Sequence, residues 1–266
     1  MMSLSDSIIE EYAKALIKAE DTQTPIEPIT KEYPNLSTKD AYKIQLRLIE
    51  EKKKRGEVII GKKIGLTSKA MQKLAGINEP DYGFLTDKMV FYEDFPIKLS
   101  ELINPAVEAE IAFVLKEDLQ GPGVLVSDVL RATDYVMPCL EIIDGRTIRY
   151  PSEWRVENSI LDNAAVGRVV FGGKRCSIDD VDLRYIGMVF EKNGEIISTA
   201  AGAAVYGNPV QAVAWLANKL FEFGVMLKSG ETIISGSLIA ADRVSAGDCY
   251  TATFDRLGSV KVKFVD

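Results

Sequence analysis

Three glutamates occupy strand-like segments whose other residues are mostly apolar. Glu108 and Glu110 lie in Val107–Val114, and since alternate strand residues share a face, their carboxylates should project side by side. Glu141 interrupts a second apolar run, Val136–Ile143. Adjacent carboxylates repel each other unless a cation compensates them, and oxygen ligands suit Mg²⁺ or Mn²⁺. The pattern predicts a divalent-metal site.

Two structural interpretations compete with this metal site. A Glu-X-Glu pair on a strand is often only a solvated face, and Glu141 could pair with Arg146 or another cation. The spacing alone leaves these alternatives open.

The absence of histidine limits the chemistry further. The chain of 266 residues contains none, which excludes Ser-His-Asp triads, Cys-His dyads and His-ligated zinc or iron. Acid–base catalysis near neutral pH must then come from lysine, carboxylates, tyrosine or metal-bound water.

A helical N-terminal portion and a β-rich remainder are predicted to position these residues. Apolar periodicity predicts a helix over residues 5–18 and a second from Thr38, as N-cap, to Gly56. Ser127 is expected to cap a short helix ending near Tyr135, and Asn208-Pro209 to open one that ends at Gly224. Strands are predicted at 58–64, 107–115, 136–143, 166–171, 183–191, 195–199, 231–235, 249–254 and 259–264. The Asn193-Gly194 pair predicts a hairpin turn.

Composition is that of a cytoplasmic globular protein. Apolar residues make up 47% of the chain and the net charge is −7, so a core can form and nucleic acid is an unfavourable partner. No apolar run predicts a membrane span, and acidic residues within 3–20 argue against a signal peptide. The three cysteines are far apart and odd in number, which favours free thiols in a reducing compartment.

Several motifs, taken in order, resemble the hydratase/decarboxylase branch of the fumarylacetoacetate hydrolase superfamily. They are Gly61–Ser68, Glu79–Gly83, Glu108-Ala109-Glu110, Pro138–Asp144 and Asp162-Asn163. The resemblance covers nearly the whole chain. It implies an α+β fold, with a catalytic domain of mixed sheets in a roll (residues 58–266) behind an N-terminal helical portion (residues 1–57). It also implies a metal held by Glu108, Glu110 and Glu141.

The resemblance implies one of two reactions in the meta-cleavage catabolism of aromatic compounds. One is hydration of 2-hydroxypenta-2,4-dienoate to 4-hydroxy-2-oxopentanoate, and the other is decarboxylation of 2-oxohex-3-enedioate (4-oxalocrotonate). The sequence Gly-Lys-Lys-Ile-Gly around Lys63, together with Asp81, favours the hydratase. The segments Tyr82–Leu85 and Gly121-Pro122-Gly123 instead resemble decarboxylases. C–C hydrolases of the superfamily use a Glu–His pair, which this chain lacks.

Lys63 and Asp81 are the predicted catalytic residues. The substrate's carboxylate and 2-oxygen would chelate the metal, with Lys63 beside the enol charge or, if burial lowers its pKa, acting as a proton donor. Asp81 would activate the water that adds at C4. The structural alternatives are a strand lysine reaching solvent and a turn-forming aspartate.

Leu66, Ser235 and Asp162 are expected to contact substrate. Backbone N–H groups of Ser235-Gly236-Ser237 are candidate donors to the substrate carboxylate, and a plain turn is the alternative. Relatives often carry serine where this chain has Ala165, so this chain either lacks that hydroxyl or uses Ser159 or Ser235 in its place. The segment 146–160, rich in arginine and tryptophan, is a candidate lid.

The resemblance also implies assembly. Members are commonly homo-oligomers, and some hydratases and decarboxylases associate with each other. A non-catalytic partner subunit is the alternative function, although the retained acids and Lys63 argue against a decayed site.

Overall fold

A computed structural model describes residues 4–150 and 154–266, which form an α+β fold. The helices are α1 (Asp6–Thr22), α2 (Ile29–Glu32), α3 (Thr38–Lys54), α4 (Lys69–Ala75), α5 (Val126–Ala132), α6 (Val156–Leu161) and α7 (Pro209–Phe221). Ser37, not Thr38, caps α3, because its hydroxyl accepts from the amide of Asp40. The helix predicted from Ser127 to Tyr135 ends at Ala132, since Thr133 already begins a strand.

Strands supply most of the remaining regular structure. They are β1 (Ile59–Gly65), β2 (Asp81–Thr86), β3 (Val90–Phe91), β4 (Ile97–Lys98), β5 (Ala106–Leu115), β6 (Thr133–Ile143), β7 (Val166–Phe171), β8 (Gly187–Lys192), β9 (Glu195–Ala201), β10 (Thr232–Ile234), β11 (Asp242–Arg243), β12 (Cys249–Phe254) and β13 (Gly258–Val265). All nine predicted strands are present within a few residues of their expected ends. Strands β2, β3, β4 and β11 were not predicted from the sequence.

The larger mixed sheet carries the glutamates. Its described strands run in the order β2-β1-β10-β5-β6-β7-β3, and β11 pairs with β5. The antiparallel β5–β6 pair at its centre sets Glu108 directly opposite Glu141 and Glu110 opposite Cys139. Cross-strand partners share a face, so the register brings all three acids to one side of the sheet.

A smaller sheet, β4-β13-β12-β8-β9, closes over the larger one. Strands β12 and β13 pack against β6, and β13 also packs against β7. The β8–β9 hairpin turns at Asn193 (φ 55°) and Gly194 (φ 84°), which is the left-handed geometry predicted for an Asn-Gly turn. Two curled sheets with N-terminal helices confirm the predicted fold class.

The N-terminal helices support β2. Tyr42 of α3 stacks on Tyr82, with 4.5 Å between ring centroids. The buried amide of Gln45 donates to Tyr82 O at 2.7 Å and to Ile160 O at 2.8 Å. Residues of α1 and α3 share one hydrophobic core with β5 and β6. The division at residues 57 and 58 stays a prediction. Among the described helices, none has the length and apolarity to cross a membrane.

Candidate metal centre

The three glutamate side chains converge on one point of the β5–β6 pair. One carboxylate oxygen from each of Glu108, Glu110 and Glu141 lies within 4.8 Å of the others. Glu110 and Glu141 are fully buried, whereas Glu108 is partly exposed. The cluster therefore opens toward solvent at Glu108.

The buried carboxylates lack the partners that their charge requires. Both Glu141 oxygens and Oε1 of Glu110 have no hydrogen-bond donor, while Oε2 of Glu110 accepts from the amide of Gly236 at 2.8 Å. Burial, and next the charge of Glu141, raise the pKa of Glu108 to about 7 and that of Glu110 well above its usual range. Unpartnered oxygens in this arrangement fit a hard divalent cation.

Lys63 of β1 is the cation nearest to this cluster. Its Nζ lies 3.1 Å from Glu141 Oε1, without hydrogen-bond geometry, and donates to Ala164 O at 3.1 Å. The residue is 4% exposed, so the interpretation as a lysine reaching solvent is wrong. Burial disfavours its charge, but Glu141, Asp81 and the other acids outweigh burial and raise the pKa of Lys63. The acids therefore raise rather than lower the pKa of Lys63 in the metal-free protein, and its role as a proton donor stays a prediction.

Asp81 begins β2 and lies opposite Gly65 of β1. It is buried, Oδ1 has no hydrogen-bond donor, and Ser159 Oγ lies 3.5 Å from Oδ2. Burial raises the pKa of Asp81, although the nearby charge of Lys63 opposes this shift. The turn-former interpretation is wrong, because Asp81 is a buried strand residue facing Lys63.

An unusual turn holds the acceptor of Lys63. Asn163, Ala164 and Ala165 all have left-handed φ angles of 53°, 50° and 58°, a conformation that costs about 1 kcal/mol or more per non-glycine residue. The Asn163 side chain accepts from the amide of Phe84 at 2.7 Å and donates to its carbonyl at 2.9 Å. These two bonds fix the turn against β2. The sequence analysis missed this role, although a buried asparagine is the expected residue for such a turn.

Ser235 and Leu66 border the cluster in different ways. The amide of Ser235 donates to Ile111 O and that of Gly236 to Glu110, so both amides have acceptors within the fold. Binding of a substrate carboxylate by the backbone of residues 235–237 stays a prediction. The Ser235 hydroxyl, however, is buried without a partner. Leu66 directly follows β1, is half-buried and has a left-handed φ angle of 55°. Contact of either side chain with substrate stays a prediction.

Asp162 is paired with Arg146. Its Oδ2 accepts from the Arg146 amide at 2.6 Å and its Oδ1 from the Arg146 guanidinium. Arg146 is therefore not the partner of Glu141. Direct binding of substrate by Asp162 stays a prediction. Its hydrogen bonds with Arg146 indicate that Asp162 holds the segment after β6 in place. Within the predicted lid 146–160, residues 151–153 lie outside the described part of the chain.

No protein-family model matches the chain, but full-length relatives do. It is 40% identical over 263 residues to a 2-hydroxyhexa-2,4-dienoate hydratase of Comamonas testosteroni, covering 97% of this chain and 98% of the relative. A 4-oxalocrotonate decarboxylase of Pseudomonas putida is 40% identical over 259 residues, covering 97% and 96%. The structure of 4-oxalocrotonate decarboxylase from Pseudomonas putida G7, complexed with magnesium and adipate, matches with a TM-score of 0.96 at 38% identity over 100% of both chains.

Proposed function

Because the chain belongs to the hydratase/decarboxylase branch of the fumarylacetoacetate hydrolase superfamily, we propose that it hydrates 2-hydroxypenta-2,4-dienoate to 4-hydroxy-2-oxopentanoate. Relatives at about 40% identity are hydratases and decarboxylases, both of which are lyases. The observation that carries the proposal is the cluster of three carboxylates, two of them fully buried, with Lys63 and Asp81 beside it.

Glu108, Glu110 and Glu141 would hold Mg²⁺ or Mn²⁺. Solved relatives contain magnesium or calcium, and the carboxylate oxygens here suit such hard ions. A bound divalent cation supplies Lewis-acid stabilisation of the negative charge on the enol oxygen of the substrate.

Lys63 would stabilise the same negative charge through its ammonium group. Its contacts with Glu141 and Ala164 hold Nζ at the inner wall of the site, and the surrounding acids keep it charged. A fixed buried cation is most effective where charge develops in the transition state. Lys63 is therefore proposed as an electrostatic catalyst rather than a proton donor.

Asp81 would accept the proton of the attacking water. Its Oδ1 has no donor within the described residues, and its raised pKa brings the carboxylate closer to the range in which it can take and return a proton. Ser159 orients the other oxygen. Ser235, through its unpartnered hydroxyl, Leu66 and Asp162 would contact the substrate.

Decarboxylation of 2-oxohex-3-enedioate is the second candidate. It is favoured by the similarity to a decarboxylase along the whole chain. The buried Asp81 favours hydration, because loss of CO₂ requires no base to activate water. C–C hydrolysis by a Glu–His pair is excluded by the absence of histidine.

A steady-state assay separates these functions. The purified protein with Mg²⁺ or Mn²⁺ is offered each substrate, and loss of ultraviolet absorbance and release of CO₂ are followed. Consumption of the dienoate without CO₂ supports hydration, and CO₂ from the diacid supports decarboxylation. Inactivity on both, after metal removal with EDTA and readdition, would favour a non-catalytic subunit.

The protein would act in the cytoplasm as a homo-oligomer, and it would also associate with another enzyme of the pathway. Strand β9 is the last strand of the smaller sheet in the described fold, and it exposes Ile196 (65%) and Ile197 (44%). An exposed apolar edge strand favours association. Light scattering measures the oligomer, and Ile196→Lys is expected to weaken it if β9 forms the contact.

A further inference from the structure

The smaller sheet has one face that packs on the protein and one face that points away from it. On its central strand β12, Tyr250, Ala252 and Phe254 are buried, and β12 packs against β6 of the larger sheet. Because alternate strand residues share a face, Thr251 and Thr253 lie on the other side, which we call the outer face. The outer face is the surface considered for binding a partner.

Opposite charges flank the centre of the outer face. Thr251 pairs with Lys261 of β13 on one side and with Glu191 of β8 on the other, so the three side chains share this face. Two strand spacings, about 10 Å, separate the charged residues, which is too far for an ion pair within one chain. Among the described residues, neither side chain has an ion-pair partner. A molecule that presents the same two charges in the opposite order would pair with both.

An aromatic loop, residues 92–95 between β3 and β4, lies at one edge of the sheet. Glu93 accepts a hydrogen bond from the Lys261 amide at 2.9 Å, so the loop is level with Lys261 along the strands. It exposes Tyr92 (69%) and Phe95 (65%). Two large apolar side chains exposed together are typical of a contact surface.

A groove lies toward the other edge of the outer face. Its volume is about 670 Å³, and its lining includes Gly187, Val189 and Thr199 of β8 and β9. These residues have small or short side chains, so this part of the face is concave. Ile196 lies farther along β9 and pairs with Glu191. The aromatic loop and the groove therefore complement each other in shape, but they occupy opposite sides of β12.

We propose that a second copy of this chain covers the outer face, with a two-fold axis that runs along β12 between the two sheets. Rotation about this axis places β13 over β8 of the partner and the aromatic loop over the partner's β9. Lys261 of each copy then faces Glu191 of the other, and Tyr92 and Phe95 enter the groove. Sheets that pack face to face keep their strands nearly aligned, and a two-fold contact uses the same patch on both copies.

This inference rests on the homo-oligomer of the proposed function and identifies the surface that forms it. It does not depend on which reaction the three glutamates support. Strand β9 contributes its outer face to the contact.

Charge reversal tests the pairing of Lys261 with Glu191. Sedimentation equilibrium compares the wild type, Glu191→Lys, Lys261→Glu and the double variant that carries both changes. We expect each single change to raise the dissociation constant of the contact at least about tenfold, because two attractive pairs become repulsive in each dimer. The double variant exchanges the charges and should recover most of the wild-type affinity. Glu50→Lys, an exposed site on α3, is the matched control and should associate as wild type does.

Cys249 provides a second measurement that does not depend on weakening the contact. It precedes Tyr250 on β12, so its thiol, free and partly exposed, lies on the outer face. The axis along β12 brings the two copies of Cys249 opposite each other. A short bismaleimide should therefore link the wild-type protein into a covalent dimer on a denaturing gel, and Cys249→Ser should prevent this.

The outcomes separate this inference from the proposals on which it rests. An oligomer whose dissociation constant is the same in both single variants, or in which Cys249 forms no cross-link, would overturn the inference and leave the homo-oligomer intact. A wild-type protein that stays monomeric at every concentration would overturn the inference together with the homo-oligomer. Neither result would alter the proposed hydration, which the steady-state assay tests separately.

Discussion

At the scale of single residues, charge burial dominates the site. Glu110, Glu141, Asp81 and Lys63 are all nearly inaccessible to solvent, where an uncompensated charge is costly. One lysine faces four acids, counting Glu108. Burial first, and the excess negative charge next, raise the pKa values of Glu108 and Glu110 and create the demand for a divalent cation.

Substituting one of the proposed metal ligands tests whether the site requires a divalent cation. We expect Glu141→Gln to weaken Mg²⁺ binding by more than about 100-fold, since even loss of a residue that only orients a ligand costs about 10–100-fold. The metal-free fold should survive, because the change removes a buried charge. Calorimetry measures the affinity, with the exposed Glu195→Gln as control. Unchanged affinity would reject Glu141 as a ligand.

The metal-free protein should lose stability as the pH rises. Glu108 has a pKa of about 7 in the fold, whereas an unfolded glutamate titrates near pH ~4.3. The folded state then retains a proton that the unfolded chain releases, so this contribution to stability is full below about pH 4.3 and lost as the pH passes about 7.

Thermal unfolding in EDTA across this range measures the effect. Glu108→Gln should flatten the profile relative to wild type, and added Mg²⁺ should raise the wild-type melting temperature more at the alkaline end. Identical profiles for the two proteins in EDTA would contradict the assignment.

At the scale of elements, three backbone segments fix the position of Lys63 and Asp81. Strand β1 carries Lys63, and β2 carries Asp81 opposite Gly65. The left-handed turn 163–165 supplies the carbonyl that accepts from Lys63, and Asn163 attaches that turn to β2. Displacement of any of the three would move a charged group relative to the glutamates.

Gly65→Ala tests the fit between β1 and β2. An added Cβ would lie 2.1 Å from Asp81 Oδ1 and 3.3 Å from Lys63 Nζ, so the carboxylate must move. We expect hydratase kcat to fall about 100-fold, as a misplacement of roughly 1 Å can cause, with Mg²⁺ affinity retained. Gly187→Ala, where an added Cβ meets nothing within 4 Å, should keep wild-type kcat. Equal kcat values in the two variants would show that Asp81 need not occupy this position.

At the scale of the whole molecule, the N-terminal helices act as part of the catalytic fold. Tyr42 and Gln45 of α3 contact Tyr82, the neighbour of Asp81, and Gln45 also reaches α6. The strand that carries Asp81 therefore depends on residues before position 58.

Removing residues 1–57 tests this dependence. We expect the fragment 58–266 to lack cooperative unfolding and to bind a hydrophobic dye, because the loss of α1 and α3 exposes β2 and part of the common core. Circular dichroism during heating measures cooperativity, with the full-length chain as control. A cooperative transition in the fragment would instead support two independently folding domains.

The sequence by itself determined the chemistry of the site and most of the elements. Glu108, Glu110 and Glu141 stand out because acids are rare within apolar strands. The absence of histidine limits the acid–base catalysts to lysine, carboxylates, tyrosine or metal-bound water. Periodicity of 2 and 3.6 residues located α1, α3, α7 and the long strands, because one-sided burial imposes those periods.

Only the tertiary structure decided the partners of these groups. The β5–β6 register places Glu108 opposite Glu141. Strand β2 contains Gly83, which weakens its sequence pattern, and it forms a buried strand through pairing with β1. Arg146 pairs with Asp162 rather than with Glu141. The amides of Ser235 and Gly236 donate to acceptors within the fold. Such pairings depend on contacts between residues far apart in the chain, which local spacing does not encode.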